Sequence, residues 1–342
     1  MSDKQKGEQN CKLYSNPQLT IGDHTQRCAA LPSLKDLSAH TSALTHCALL
    51  FDETVHGATL TKEVVSVVRD VIEAVRALVQ TFLGLYTHPG SGTGKAGEEY
   101  MVRTGGVHDL IDKARGEKGI SKDNLGAVRK KWGEDRATLE DAFREVGEMV
   151  VEGEEGGDEG GDEDEDGWDE LGLGSGKMDK TELERTKQIH TLLRLTTLLH
   201  KRVLLDLLDL SPKIQISTLD TLPIHSTSLL TATDDLISTL YTPQDPTSIH
   251  TELTSFINIV RALQSGLVAA GFFPADSLEH QLGEMSVRDS GADGGTKGKK
   301  KKTGKDIKKW FDTCFEQIYK LATAFAATLA VVDGGNITLD AS

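Results

Sequence analysis

Apolar residues recur along this chain at alternating steps of three and four. The clearest run lies within 61–86, where Val64, Val68, Val71, Val75, Leu78, Phe82 and Leu85 form a seam over more than three heptads. Val65, Ile72, Val79 and Tyr86 run beside the seam and widen it, while Arg69, Asp70, Glu73, Arg76 and Gln80 take the opposite side. So wide an apolar stripe predicts a helix packed against several partners. Thr61 is its expected N-cap, with Leu60 and Val65 as a hydrophobic staple. Upstream, Leu34, Leu37, Thr41, Leu44, Ala48 and Phe51 predict a first helix from about Pro32, broken at 52–57. A short helix is expected near 107–114. A long one, capped by Ser121, carries Leu125, Val128, Trp132, Leu139, Ala142, Val146 and Met149. Asp135 interrupts that seam and predicts a bend or a polar contact.

The second half repeats the pattern. Asp179 with Glu182 predicts a capping box. Leucines then crowd nearly every side of 189–210, as expected of a helix in the middle of a bundle. A helix follows over 219–241, with Pro223 in its first turns. The short link 242–245 predicts antiparallel neighbours. Asp245 and Pro246 form an N-cap and N1 pair, opening a seam of Ile249, Leu253, Phe256, Val260, Leu263, Leu267 and Ala270. A final helix carries Ile307, Phe311, Cys314, Ile318, Leu321, Phe325 and Leu329. No segment reads as a strand; Ile214–Thr218 comes nearest. The expected fold is all-α, long-helix bundles of about seven to eight helices, with a disordered acidic insert and a lysine-rich loop.

Charge divides the chain. Twelve acids and no base lie between Glu152 and Glu170, so most of the net charge of −15 sits there. The rest is near neutral, which argues against direct nucleic-acid binding. Self-repulsion and glycine entropy predict a disordered linker at 152–177, with Trp168 and Leu171 as apolar exceptions. The expected organisation is an N-terminal arm (1–30), a helical half (31–151), the linker (152–177), a second helical half (178–333) and a tail (334–342). Residues 1–30 lack the apolar core of a secretory signal, and no window is apolar enough to span a membrane. The four cysteines have no metal or redox spacing. Cys47 and Cys314 fall on apolar stripes, where a thiol behaves as a small hydrophobe.

Three patterns imitate chemistry. Asp162, Asp164, Asp166 and Gly167 imitate a calcium loop, but Leu173 stands where the bidentate Glu is required. Gly90–Lys95 imitates a phosphate loop, but Pro89 and Ala96 occupy key places and a helix precedes it. His190, His200, His225 and His250 could meet in a bundle, yet Glu-x-x-His, needed on two helices for a di-iron site, occurs only as Glu53–His56. No catalytic, metal or cofactor residue is assigned. Lys297, Lys299, Lys300, Lys301, Lys302 and Lys305 form a basic run read as a candidate nuclear-import signal, with contact to the acidic linker or plain solvation as alternatives.

Several stretches together resemble one family. They are Leu44–Phe51 leading into His56-Gly57-Ala58-Thr59-Leu60, Leu78–Tyr86, Gly105-Gly106-Val107-His108-Asp109-Leu110-Ile111 and Glu140–Val150. Trp168-Asp169-Glu170-Leu171 follows inside the acidic insert, then Leu192–Leu205, and then Leu219 through Asp234-Asp235-Leu236 to Tyr241-Thr242-Pro243. In this order they resemble the cyclin-D-binding (cyclin-D-interacting, GCIP-like) proteins. The resemblance implies a non-enzymatic, all-α regulatory adaptor of nucleus and cytoplasm. Its implied partners are cyclin-like or helix-loop-helix regulators of cell-cycle progression and transcription. The alternatives are a structural adaptor of the vinculin or α-catenin kind, and a helical enzyme with a dispersed site.

Overall fold

The computed structural model describes residues 24–87, 95–155, 178–209, 215–273 and 304–333. They are helical throughout apart from connecting turns, and among them there is no strand. The helices are α1 (His24–Leu49), α2 (Glu53–His56), α3 (Ala58–Thr87), α4 (Lys95–Arg115), α5 (Asn124–Glu155), α6 (Lys180–Arg202), α7 (Ile216–Leu219), α8 (Thr221–Ser238), α9 (Pro246–Ala269) and α10 (Gly304–Asp333). Contacts divide them into two compact units at Lys122/Asp123. The helix 124–155, expected in the half 31–151, therefore belongs to the second unit. Its Val128, Trp132, Ala142 and Val146 are buried with residues of α6, α8, α9 and α10.

In the first unit α1, α2 and α4 each pack on α3. Leu60, Val64, Val68 and Val71 of α3 are buried with Ala48 of α1. Farther along, Val75, Leu78 and Phe82 are only half-buried, and Phe82 meets Tyr100 of α4 at 5.8 Å between ring centres. The α1 seam is covered thinly: Leu34 is 52% and Leu44 36% exposed.

Several boundaries differ from expectation. α1 begins at His24 and runs through Pro32, which forfeits one helical hydrogen bond at a cost of about 3 kcal/mol. Thr61 is not an N-cap. Asp52 caps α2 by accepting from the Thr54 N–H at 2.7 Å. Gly57, at φ 91°, then turns the chain directly into α3. α4 is much longer than 107–114 and takes in Lys95, Ala96 and the Gly105-Gly106 pair. Cys47 is exposed, because Ala48 turns its neighbouring face of α1 inward.

The second unit is a closed ring of helices. α5 packs on α6, α6 on α10, α10 on α9, α9 on α8, and α8 on α5. The α5 seam is buried as expected, with Leu125 and Met149 at its margin. Asp123, not Ser121, caps it, its Oδ1 accepting from the Gly126 N–H at 2.7 Å. The Ser121 N–H instead donates to Glu63 Oε2. The capping box on α6 forms in full: Asp179 Oδ1 accepts from the Thr181 and Glu182 N–H groups, and Glu182 Oε2 accepts from the Asp179 N–H. Asp245 accepts from the Thr247 and Ser248 N–H groups at the start of α9, with Pro246 behind it. Gly266, late in α9, lies against His225, early in α8, so these helices run antiparallel across the link 239–245. Ile214 lies outside the described residues. Ile216–Leu219, the rest of the most strand-like stretch, is the helical turn α7.

α6 does not continue as a regular helix to Leu210. It widens over Val203–Leu208 into a π-turn, a form that redirects side chains within a helix. Arg202 pairs with Asp206 across this turn and lies 4.6 Å from the Trp310 ring of α10. Arg129 of α5 donates from Nε to the Leu208 carbonyl at 2.9 Å, meeting a backbone acceptor at the helix end.

Candidate interaction surface

α5 and α6 run antiparallel: Arg129 meets Leu208, Trp132 meets His200, Phe143 meets His190 and Gly153 meets Leu183. Two quite different polar arrangements result along this pair.

The first is interior. The Trp132 indole N–H donates to the His200 carbonyl at 2.9 Å, and the two rings stack at 4.3 Å. His200 is 1% exposed, and its Nε2 lies 2.8 Å from Ser226 Oγ. Burial holds the imidazole neutral and lowers its pKa to about 3; nearby Asp135 opposes that shift and Arg136 adds to it. Asp135, the acid that interrupted the α5 seam, is 2% exposed; Lys131 Nζ reaches its Oδ1 at 2.7 Å and Thr227 Oγ1 its Oδ2 at 3.5 Å. The seam therefore faces a polar contact there. The group is buried and joins α5, α6 and α8 as an internal strut.

The second is a surface groove of about 450 Å³ lined by Phe143, Arg144, Gly147, Glu148, Val151, Glu152 and His190. The Phe143 and His190 rings stack in parallel, 4.5 Å apart and 5° from coplanar. Gly147 lets the His190 ring approach closely: a Cβ there would lie 3.3 Å from His190 Nε2. Partial burial lowers the His190 pKa, and the charge of Arg194 lowers it further. Val151 is 52% exposed at the far end. Its shape, the stacked rings and the exposed Val151 suit this groove to a bulky apolar group.

The remaining sequence candidates do not converge. His190, His200, His225 and His250 do not meet: His190 is in the groove, His200 in the core, His225 against Gly266 and His250 exposed. His56 closes on its own helix start, with Nδ1 3.1 Å from the Asp52 amide nitrogen. Among the described residues no three His, Cys, Asp or Glu side chains are grouped to hold a metal ion. Cys314 is buried, its thiol pKa pushed up to about 11 by desolvation. The calcium-like run 162–173, the loop 90–94, and Lys297, Lys299, Lys300, Lys301 and Lys302 lie outside the described residues; Lys305 falls in the first turn of α10. No helix among the described residues is long and apolar enough to cross a membrane. The groove was not foreseen. Its members lie in two helices separated by the acidic run, and only the i, i+4, i+8 spacing of Phe143, Gly147 and Val151 hinted at a shared face.

The fold defines an all-α protein of long packed helices. The chain belongs to the Grap2 and cyclin-D-interacting family: the family's N-terminal domain matches residues 28–152 and its C-terminal domain residues 160–265. The interval between the two matches falls in the acidic run. No curated protein matches the chain.

Proposed function

We propose that this chain is a protein–protein interaction adaptor that acts without catalysis and regulates cell-cycle progression or transcription. Its partners on this reading are cyclin-like or helix-loop-helix regulators, engaged through exposed helical faces in the helix-in-groove manner. The observation that carries the reading is the match of both halves to a family described as cyclin-D-interacting. The thinly covered faces of α1 and α3 and the groove between α5 and α6 are the surfaces suited to such contacts. We place the protein in both nucleus and cytoplasm, with the lysine run at 297–305 as the import signal.

Affinity purification of the tagged full chain, followed by mass spectrometry, tests the partner. Recovery of a D-type cyclin or a helix-loop-helix factor, reproduced with the purified pair, is the expected result. Recovery of actin and adhesion proteins in their place would sink the regulatory reading and favour a structural adaptor. Deleting Lys299–Lys302 and imaging the tagged protein tests import: nuclear signal should fall, and an unchanged distribution removes the import role.

A further inference from the structure

The groove between α5 and α6 lies at the same end of the helix pair as the acidic run. α5 ends at Glu155 and α6 begins at Lys180, so residues 156–177 leave from and return to this end. Val151 is about one helical turn, roughly 6 Å, from Glu155. Antiparallel helices need only about 2–8 residues to join them, so this connection carries far more chain than the turn requires.

That extra chain is not uniformly polar. Among its acids and glycines stand Trp168, Leu171 and Leu173, in the order Trp-Asp-Glu-Leu-Gly-Leu. A connection whose task was only to stay solvated has no use for an indole. The thirteen residues from Glu155 to Trp168 reach up to about 43 Å, and the ten from Trp168 to Met178 about 33 Å. His190 lies roughly 18 Å along α6 from Met178. Both arms therefore reach the groove with slack, and tethering holds the indole near it at an effective concentration of about millimolar.

We propose that the groove formed by Phe143, Gly147, Val151 and His190 is the docking site for the Trp168–Leu171 segment of the same chain. In the docked state the indole lies against the Phe143–His190 pair, and Leu171 covers the exposed Val151. Charge does not drive the contact. Arg144 favours the neighbouring Asp169 and Glu170, but Glu148 and Glu152 face the same opening and oppose them. The apolar pair supplies the attraction, so salt should change it little. With the segment docked here, the partners proposed above are left the faces of α1 and α3, and a partner that needs the groove must displace the segment.

The test uses the full chain and tryptophan fluorescence. Trp132 is fully buried in the second unit, so subtracting the spectrum of Trp168→Phe from that of the unmodified chain isolates Trp168. Its emission should lie at shorter wavelength than a solvated indole, with protection from acrylamide. Val151→Asp changes an exposed position. It should move the emission to the solvated value and raise quenching of Trp168 about threefold, because the indole regains water. Phe143→Ala should do the same, with circular dichroism checking that each variant keeps its helices. A fully solvated Trp168 in the unmodified chain overturns the proposal, as does protection that survives both variants. Protection that rises with protein concentration also overturns it, because the occupant is then the segment of a second copy.

Discussion

α3 in the first unit and α6 in the second both present apolar residues over most of their circumference, yet their neighbours treat them differently. Along α6 and its π-turn, Ile189, Leu192, Leu193, Leu199, Val203 and Leu208 are at most 2% exposed, within the ring of α5, α8, α9 and α10, and only the outer Leu198 and Leu205 stay 43% and 45% exposed. Around α3, burial is deep only at Leu60, Val64, Val68 and Val71 and fades over the following turns. The difference lies in the partners. α5, α9 and α10 carry full seams of their own, whereas α1 offers a thin one and α4 carries Gly105 and Gly106 in place of bulk. A helix's own stripe shows that it needs cover; how much cover it receives depends on the stripes opposite.

The sharpest way to test that contrast is a buried charge. Leu193→Asp places an unpaired carboxylate at a fully buried position and should cost more than about 5 kcal/mol, enough to abolish cooperative unfolding of the second unit. The same change at half-buried Val75 should leave the first unit helical by circular dichroism, because the side chain can turn toward water. Equal losses at both positions would show that the first unit is as tightly enclosed as the second.

Acid offers a second contrast, confined to the second unit. His200 stays neutral when folded, with its pKa lowered to about 3, while the unfolded chain takes up a proton near the ordinary 6.5. The unfolded state therefore binds more protons in between, and stability falls as pH drops from about 6.5 toward 3, by about 1.4 kcal/mol per pH unit from this group. Denaturant titrations from pH 7 to 4.5 should show that slope in the unmodified chain. His200→Gln should flatten it, whatever its effect at pH 7. A parallel pH dependence in the variant would mean that the imidazole is not held neutral by burial.

Truncation gives smaller, graded numbers. Leu229→Ala, at a fully buried site in α8, should cost about 2–5 kcal/mol. Val75→Ala should cost less, about 1 kcal/mol, since the side chain is only partly buried. Differential scanning calorimetry that resolves two transitions would assign each loss to its unit.

These contrasts also show what could be read from residues alone. The seams of α5, α9 and α10 were legible because each position has one job, and a buried seam of period 3.5 leaves few alternatives. The caps at Asp179, Asp245 and Pro246 were legible because they act within one turn. Helix starts in the first unit were not. Gly57 at positive φ lets α3 begin before Thr61, and α1 simply bears the cost of Pro32. The long-range polar contacts were hidden for a different reason. Trp132 with His200, Asp135 with Thr227 and Phe143 with His190 pair residues far apart in the chain, and only the antiparallel docking of α5 on α6 and the placement of α8 bring them together.

Glu182 tests how far a local signal can be trusted. Its carboxylate closes the capping box through Oε2, as the spacing from Asp179 predicts. Its other oxygen accepts from the Gln244 N–H at 2.8 Å, in the link between α8 and α9, and its carbonyl accepts from Gln244 Nε2 at 3.3 Å. Asp179→Ala removes only a cap and should cost about 1 kcal/mol. Glu182→Ala removes its half of the box and also strands a half-buried backbone donor, so it should cost about 1 kcal/mol more. Glu182→Gln keeps an acceptor for one of the two N–H groups and should fall between them in urea midpoint at constant slope. If Asp179→Ala and Glu182→Ala shift the midpoint equally, the bond to Gln244 adds nothing to stability. Glu182 would then act only at the end of its own helix, which is where the sequence alone would have left it.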